Sequence, residues 1–260
     1  MCGFKSRLAH HMRIVVVGAS SGLGRCVGVG LAQRGAHVAL LARRREPLVD
    51  AAKEAGPGTM AITCDVTDEQ AVRVAITEAA GGLGGIDGVV YSAGIGPLAR
   101  MPDVSAKKWR ELFATNVIGA SVVTAAALPY LEASAGTAVY FSSVSASQTP
   151  PWPGLGSYAV TKAALDKMVE AWRAEYPHIG FTRLVIGDCG GGEGDAVSHF
   201  PDGWDEALAA ELVPVWLARG YLAGSLLPVE RLINVVDTVL RAGAADSVPS
   251  LVVAPRPPKP

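Results

Sequence analysis

A tyrosine and a lysine four residues apart, Tyr158 and Lys162 in the run Tyr-Ala-Val-Thr-Lys, are the side chains with the most chemistry in reach of one another. On a helix such a pair stands one above the other on the same face. Ala163, Ala164, Leu165, Met168 and Val169 continue the segment as helix formers. A free phenol, with a pKa near ~10, is a poor proton donor or acceptor at neutral pH. An ammonium held within a few ångströms favours the phenolate and brings the group toward the range of an acid–base catalyst. Taken alone, the pair reads first as an ordinary helix turn with a surface lysine. The elements that would position it therefore carry the argument.

The second chemical signal is a glycine turn. Arg13 to Val17 is a short apolar, β-branched run, and Gly18-Ala-Ser-Ser-Gly22-Leu-Gly24 follows it and opens a helical segment ending near Arg34. Glycines there permit a tight turn and let backbone N–H groups approach a pyrophosphate at a helix N-terminus. A second strand, His37 to Leu41, ends in Ala42-Arg43-Arg44-Arg45, either a solvated basic loop or a phosphate site for arginine's planar fork. Thr59 to Thr63 reads as a third strand, followed by Cys64-Asp65-Val66, where Asp65 could also cap a helix over 68–80. Gly81 to Gly85 is a glycine-rich break, and Ile86 to Tyr91 a fourth strand ending in Tyr91-Ser92-Ala93-Gly94. A helical stretch from about Ser105 to Leu131 carries Asn116, which could be a satisfied buried polar group.

Thr137 to Phe141 is a fifth strand ending at Ser142-Ser143, and Gly180 to Ile186 a sixth, followed by the glycine-rich run 187–194. Within 190–227, Trp204, Leu212, Trp216, Leu217, Tyr221 and Leu222 offer an apolar face at helical spacing, for core packing, an oligomer contact or an apolar substrate. Pro228 to Arg241 is a last helix and Leu251 to Ala254 a closing strand before a proline-rich tail. Strands alternating with helices predict a three-layer, doubly wound α/β fold, with about seven parallel strands covered on both faces. The expected organisation is an extension over 1–12 and a single domain over 13–260.

Composition narrows the partners. The 260 residues carry a formal net charge of −1, with half of them hydrophobic and 18% charged. That balance gives no electrostatic case for nucleic acid or a membrane surface. No apolar stretch reads as a span of ~20 residues. Cys2, Cys26, Cys64 and Cys189 lack metal-ligand spacing, and the histidines form no cluster, so reduced thiols, no metal and a cytoplasmic protein are expected. Met1 to His11 lacks the apolar core of a secretory signal, and Met12 would be a natural start.

Gly18-xxx-Gly22-x-Gly24 followed by Tyr158-xxx-Lys162, in that order and separation, resembles the compact branch of the short-chain dehydrogenase/reductase family over about Arg13 to Ala254. The resemblance implies reversible carbonyl reduction or alcohol oxidation with a nicotinamide cofactor. It implies that Gly18, Ser20, Ser21, Gly22, Leu23 and Gly24 hold the pyrophosphate and that Asp65 and Val66 lie beside the adenine. Ala93 and Gly94 would line the nicotinamide ribose. Ala42 stands where NAD-binding members carry an acidic residue, so NADP(H) is expected, with Arg43 first and Arg44 next on its phosphate. Tyr158 would transfer the proton, Lys162 would tune it and Asn116 would hold a water leading from the lysine to solvent. The family's serine lies thirteen residues before the tyrosine, where Ser145 stands here. An insertion at Pro150-Pro151-Trp152-Pro153 makes Ser143 the choice, because loops absorb length better than strand tips. Val17, Tyr91-Ser92 and Gly187-Asp188 depart from the family's threonine, paired asparagines and Pro-Gly. By resemblance the chain is a homodimer or homotetramer. A catalytically inactive nucleotide sensor on the same fold remains the alternative. An epimerase or dehydratase of the extended branch would usually show GxxGxxG and a longer C-terminal substrate domain, and neither is here.

Overall fold

Short β-branched runs alternate with amphipathic segments along the chain, and each strand passes to the next through a helix. The computed structural model describes residues 11–243 and 246–256. Its strands are β1 (Arg13–Val17), β2 (His37–Ala42), β3 (Met60–Thr63), β4 (Gly88–Tyr91), β5 (Thr137–Ser143), β6 (Gly180–Ile186) and β7 (Ser250–Val253). They form one parallel sheet in the order β3-β2-β1-β4-β5-β6-β7. The order reverses between β1 and β4, and in such sheets the crevice at the strands' C-terminal edge is where a ligand fits.

Helices α1 (Gly22–Gln33), α2 (Arg45–Ala55) and α3 (Glu69–Leu83) follow the first three strands. Beyond β4 come α4 (Ala106–Phe113), a π-helical segment (Ala114–Ile118) and α5 (Gly119–Ser134). A short α6 (Val144–Ser147), then α7 (Gly156–Glu175), α8 (Glu206–Ala218) and α9 (Val229–Ala242) complete the chain. One core layer joins Val15, Val89 and Tyr140 of the sheet to Ile76, Val123, Leu131 and Leu165 of the helices. The opposite layer joins Val16, Leu40 and Val139 to Leu31, Leu48, Leu232 and Val236. The fold is thus the doubly wound α/β sandwich the alternation predicts.

Several boundaries differ. His11 and Met12 belong to the folded part, because His37 N donates to the Met12 carbonyl at 2.8 Å and His11 Nδ1 pairs with the Gly35 carbonyl at 2.7 Å. Residues 1–10, including Cys2, lie outside the described residues. Gly81 and Gly82 sit inside α3, and the break falls at Gly84 and Gly85, whose φ values of 75° and 129° suit glycine. Asp68, with Oδ1 accepting from Ala71 N at 3.0 Å, caps α3, so Asp65 is free of that task. The continuous helical run Ala106–Ser134 is, by length and composition, apolar enough to cross a membrane, contrary to the reading of the sequence. Nearly half of its most apolar window is buried, with Leu112, Val123 and Leu131 packed inside.

The π-helical turn disturbs the regular i→i−4 ladder, and Tyr91 repairs one consequence. Its buried hydroxyl donates to the Thr115 carbonyl at 2.6 Å. Tyr91 thus braces the segment from the end of β4, one of the positions where the sequence departs from the family's asparagines. Tyr91→Phe would leave that buried carbonyl unpaired and is expected to destabilise the protein by about 1–3 kcal/mol in urea unfolding. A change under about 0.5 kcal/mol would show that the carbonyl finds another partner.

Candidate active site

The glycine turn is shaped by what stands behind it. Gly18 has φ +86°, and a Cβ there would lie 2.6 Å from Ala93 N. A Cβ on Gly24 would collide with Ser92 Oγ and the Gly18 carbonyl. Ser92 itself is pinned to the turn, its hydroxyl donating to the Val17 carbonyl at 2.6 Å. The result is a bare backbone cradle at the N-terminus of α1, the arrangement that receives a phosphate. Arg44 reaches back to this turn, with Nη2 donating to Ser20 Oγ at 3.1 Å and to Ser21 Oγ at 2.5 Å. Burial would raise the Asp65 pKa, but hydrogen bonds from Thr67 and the nearby charge of Arg43 outweigh it and hold the carboxylate below its usual range. Arg44, rather than Arg43, is the arginine fastened to the cradle.

The cradle opens into a cleft of about 1010 Å³ that runs from Gly18 and Arg44 past Ala93, Gly94 and Val66 to Ser143, Tyr158 and Trp216. Tyr158 and Lys162 face it from the first turns of α7 and Ser143 from the end of β5. Ser143 lines the same cleft as Tyr158. Its Oγ lies 2.9 Å from Ser145 Oγ and accepts from Ser145 N at 3.2 Å, which fixes the rotamer. Both serines therefore line the cleft, with Ser145 as the support of Ser143. Lys162 is 4% exposed, and its ammonium donates to the Phe141 carbonyl at 2.7 Å.

The expected tuning of the phenol by the ammonium does not describe this geometry. Burial raises the Tyr158 pKa well above its ordinary value, Ser143 opposes it and Asp166 adds to it. Lys162 Nζ stands 5.6 Å from the tyrosine ring centroid, engaged with Phe141. Burial also pulls the Lys162 pKa down, to about 8, with Asp166 acting against that fall. Asn116 is fully buried behind the cleft wall. Its Nδ2 donates to the Ile95 carbonyl and Thr161 Oγ1, each at 2.9 Å, and its Oδ1 accepts from Ile95 N at 2.9 Å. These contacts support the satisfied-polar reading: Asn116 braces α7 against the loop after β4.

Residues 12–190 match the family model for short chain dehydrogenase. The chain belongs to the short-chain dehydrogenase family. Over 180 residues it is 32% identical to 11-beta-hydroxysteroid dehydrogenase A of Sesamum indicum, a match covering 67% of this chain and 51% of that protein. The chain spans about half the length of the curated relatives it matches. It is similar to an alcohol dehydrogenase from the archaeon Thermococcus sibiricus complexed with 5-hydroxy-NADP, with TM-score 0.77 and 23% identity over 94% of this chain and 96% of that one. It is also similar to 3-ketoacyl-(acyl-carrier-protein) reductase from Brucella melitensis complexed with NADH, with TM-score 0.76 and 22% identity over 92% and 95%. These two likenesses speak to the fold.

Within this short-chain dehydrogenase the region after β6 borders the same cleft. Gly191 has φ +84° and pairs with Val197, while Gly22 of the first turn lies against Ser198. Segment 190–198 therefore folds back over the cradle. Beyond it, Phe200 sets its ring edge-on to Tyr158 at 5.0 Å and to Trp204 at 5.6 Å. Trp204 and Trp216 are anchored by ring N–H donation to the Gly96 and Pro153 carbonyls, at 2.8 and 2.9 Å. Of the expected apolar face Leu212 and Trp216 are buried, whereas Leu217 points outward at 49% exposure. Sequence reasoning missed Phe200, which sits in an irregular loop with no periodicity to mark it. It also treated Trp152 as mere insertion, although Trp152 packs on Trp216 at 5.5 Å and on Tyr221 at 6.0 Å. An aromatic among prolines, in a loop otherwise free to vary, was the available signal.

Phe200 covers part of the half-buried Tyr158 ring. Phe200→Ala admits solvent, lessens the penalty on the phenolate and should move the Tyr158 titration down toward 10.0, its ordinary value. The difference in phenolate absorbance between the two proteins during an alkaline titration reads this. An unmoved midpoint would assign the burial to other walls.

Proposed function

We propose that this chain is an NADP(H)-dependent oxidoreductase that interconverts a ketone or aldehyde and its alcohol on a substantially apolar small molecule, using Ser143, Tyr158 and Lys162. The observation that carries the reading is that Ser143, Tyr158 and Lys162 line the same cleft as the glycine cradle, with Lys162 buried one helical turn from Tyr158. When bound, the nicotinamide supplies or accepts the hydride at the substrate carbon. In the reduction direction Tyr158 gives its hydroxyl proton to the carbonyl oxygen. A burial-raised pKa keeps that proton in place at neutral pH until it is needed. Ser143 donates a hydrogen bond to the same oxygen, and Ser145 holds Ser143 in position. Lys162 offsets the phenolate left behind. With a pKa of about 8 its ammonium is charged at neutral pH and lost as pH rises beyond that, so activity should decline on the alkaline side.

Gly18, Gly22 and Gly24 would hold the pyrophosphate, with Ser20, Ser21 and Leu23 completing the turn. Asp65 and Val66 would flank the adenine, and Ala93 and Gly94 the ribose beside Lys162. A cradle that any side chain on Gly18 or Gly24 would fill supports this fit. Arg44 on the turn serines, Arg43 beside it and the absence of a carboxylate at Ala42 together favour the NADP(H) phosphate over a bare ribose. The aromatic end of the cleft, with Trp152, Phe200, Trp204 and Trp216, favours an apolar substrate.

Tyr158→Phe should retain NADPH binding by calorimetry and lose turnover by roughly 10²–10⁴-fold in a nicotinamide-absorbance assay over a panel of ketones and alcohols. Retained turnover would remove the tyrosine from the mechanism, and binding without turnover in the unaltered protein would favour a nucleotide sensor. Arg44→Ala should weaken NADPH far more than NADH, and Arg43→Ala should do so to a lesser degree. Equal losses for the two cofactors would overturn the phosphate assignment.

A further inference from the structure

The four-residue spacing of Tyr158 and Lys162 repeats once more. Asp166 follows Lys162 at the same interval, so the three side chains form a column along one face of α7. Asp166 faces the sheet, with its side chain only 6% exposed. Arg183 of β6 stands 3.8 Å from Oδ2. Burial raises the Asp166 pKa on balance, and Ser142 of β5, Arg183 and Lys162 act against that rise by favouring the charged form. Yet Ser142 Oγ and both carboxyl oxygens are buried without a well-formed hydrogen bond. A carboxyl so loosely satisfied is a costly way to fill space, where an apolar side chain would pack without penalty.

What the carboxyl does provide is charge. The Lys162 ammonium is buried on a single neutral acceptor, the Phe141 carbonyl. Of the groups around the column, α7 contributes Tyr158, Asp166 and Glu170, and β6 contributes Arg183. From β5 come the Phe141 carbonyl, Ser142 and Ser143, all neutral, and the loop after β4 presents the backbone of Gly94. Asp166 is the anion that acts on the ammonium, and it also acts on Tyr158.

We infer that Asp166 is a positioning residue whose carboxylate is the counter-charge holding the Lys162 ammonium in its charged form beside Tyr158. The inference rests on the proposed roles of Tyr158 and Lys162. Its sign follows from the charges. Burial already draws the Lys162 pKa down to about 8, so removing the carboxylate draws it lower still, and the ammonium is lost at a less alkaline pH. Below that range the lysine is charged with or without its partner, so the acid side of the activity profile is unaffected by this pair.

Asp166→Asn keeps the shape and removes the charge. In protein carrying ¹³C-labelled lysine, with the Lys162 signal assigned by its disappearance in Lys162→Met, the titration midpoint of Lys162 should fall by roughly one pH unit or more. The alkaline limb of NADPH-dependent acetophenone reduction should fall with it, while NADPH affinity at mildly acidic pH stays unchanged. An unmoved midpoint, even with a lowered melting temperature, would make Asp166 a packing residue and overturn the inference. A midpoint that falls while the limb stays would leave a counter-charge that the reaction does not use, and would overturn the positioning role. Should the unaltered protein reduce no carbonyl at all, the proposed reaction fails and the positioning role fails with it. The titration still decides separately whether Asp166 is the counter-charge. Asp166→Ala serves for the same measurements if the asparagine variant does not fold.

Discussion

The structure turns on a buried ammonium. Lys162 reaches from α7 to the carbonyl of Phe141 near the end of β5, and this 2.7 Å contact fixes the helix relative to the strand that carries Ser143. An ammonium withdrawn from water costs several kcal/mol unless its surroundings compensate, so the register between helix and strand is not free to slide. One turn earlier on the same helix, Tyr158 is thereby set beside Ser143. One turn later, Asp166 meets the sheet at Ser142 and Arg183. Asn116 locks the arrangement from the other side, joining Thr161 of α7 to both backbone groups of Ile95. The π-helical turn that carries Asn116 is the local distortion that lets a long helix present this residue, and Tyr91 stabilises the distortion.

From that fixed point the cleft extends toward two kinds of chemistry. At one end the backbone is bare, because Gly18 and Gly24 leave no room for side chains, and Arg44 brings a guanidinium to the turn serines. At the other end the walls are aromatic, and the polar atoms of Trp204 and Trp216 are spent on backbone carbonyls. Phe200 stands where the two ends meet, on Gly96 and against Tyr158. Burial raises the phenol's pKa, because walls that exclude solvent also remove the dielectric that would stabilise the phenolate.

Much of this was legible before any coordinates. The spans of β1 and β6 were read without error, because β-branched runs between glycine turns have few other structures open to them. The glycine turn and the stacking of Tyr158 and Lys162 on one helix face are set by local spacing. What local spacing does not carry depends on distant partners. Gly81 and Gly82 look like a break, but α3 continues through them. The role of Asn116 depends on Ile95 and Thr161, and that of Ser143 on an insertion whose length the sequence shows but whose packing it does not. The order of the two arginines depended on which side chain could reach Ser20 and Ser21. Asp166 gave no local signal either, although it continues the column at the same spacing, because its meaning lies in β5 and β6.

The departure after β6 follows the same logic. Where the family usually has Pro-Gly, this chain has Gly187 and Asp188, and stiffness comes from contacts instead of a proline ring. Gly187 N donates to the Val253 carbonyl at 2.8 Å, which ties the segment to the sheet edge. Asp188 accepts from Ala223 N through its carboxylate and from Leu227 N through its carbonyl, each at 2.7 Å. Those two bonds fasten the start of the segment to the far end of the region that carries Phe200, Trp204 and Trp216. The glycines that follow can then bend back over Gly22 without loosening the aromatic wall. A proline would have fixed one backbone angle, whereas the Asp188 clasp fixes the whole span between 188 and 227 to the strand that aims it.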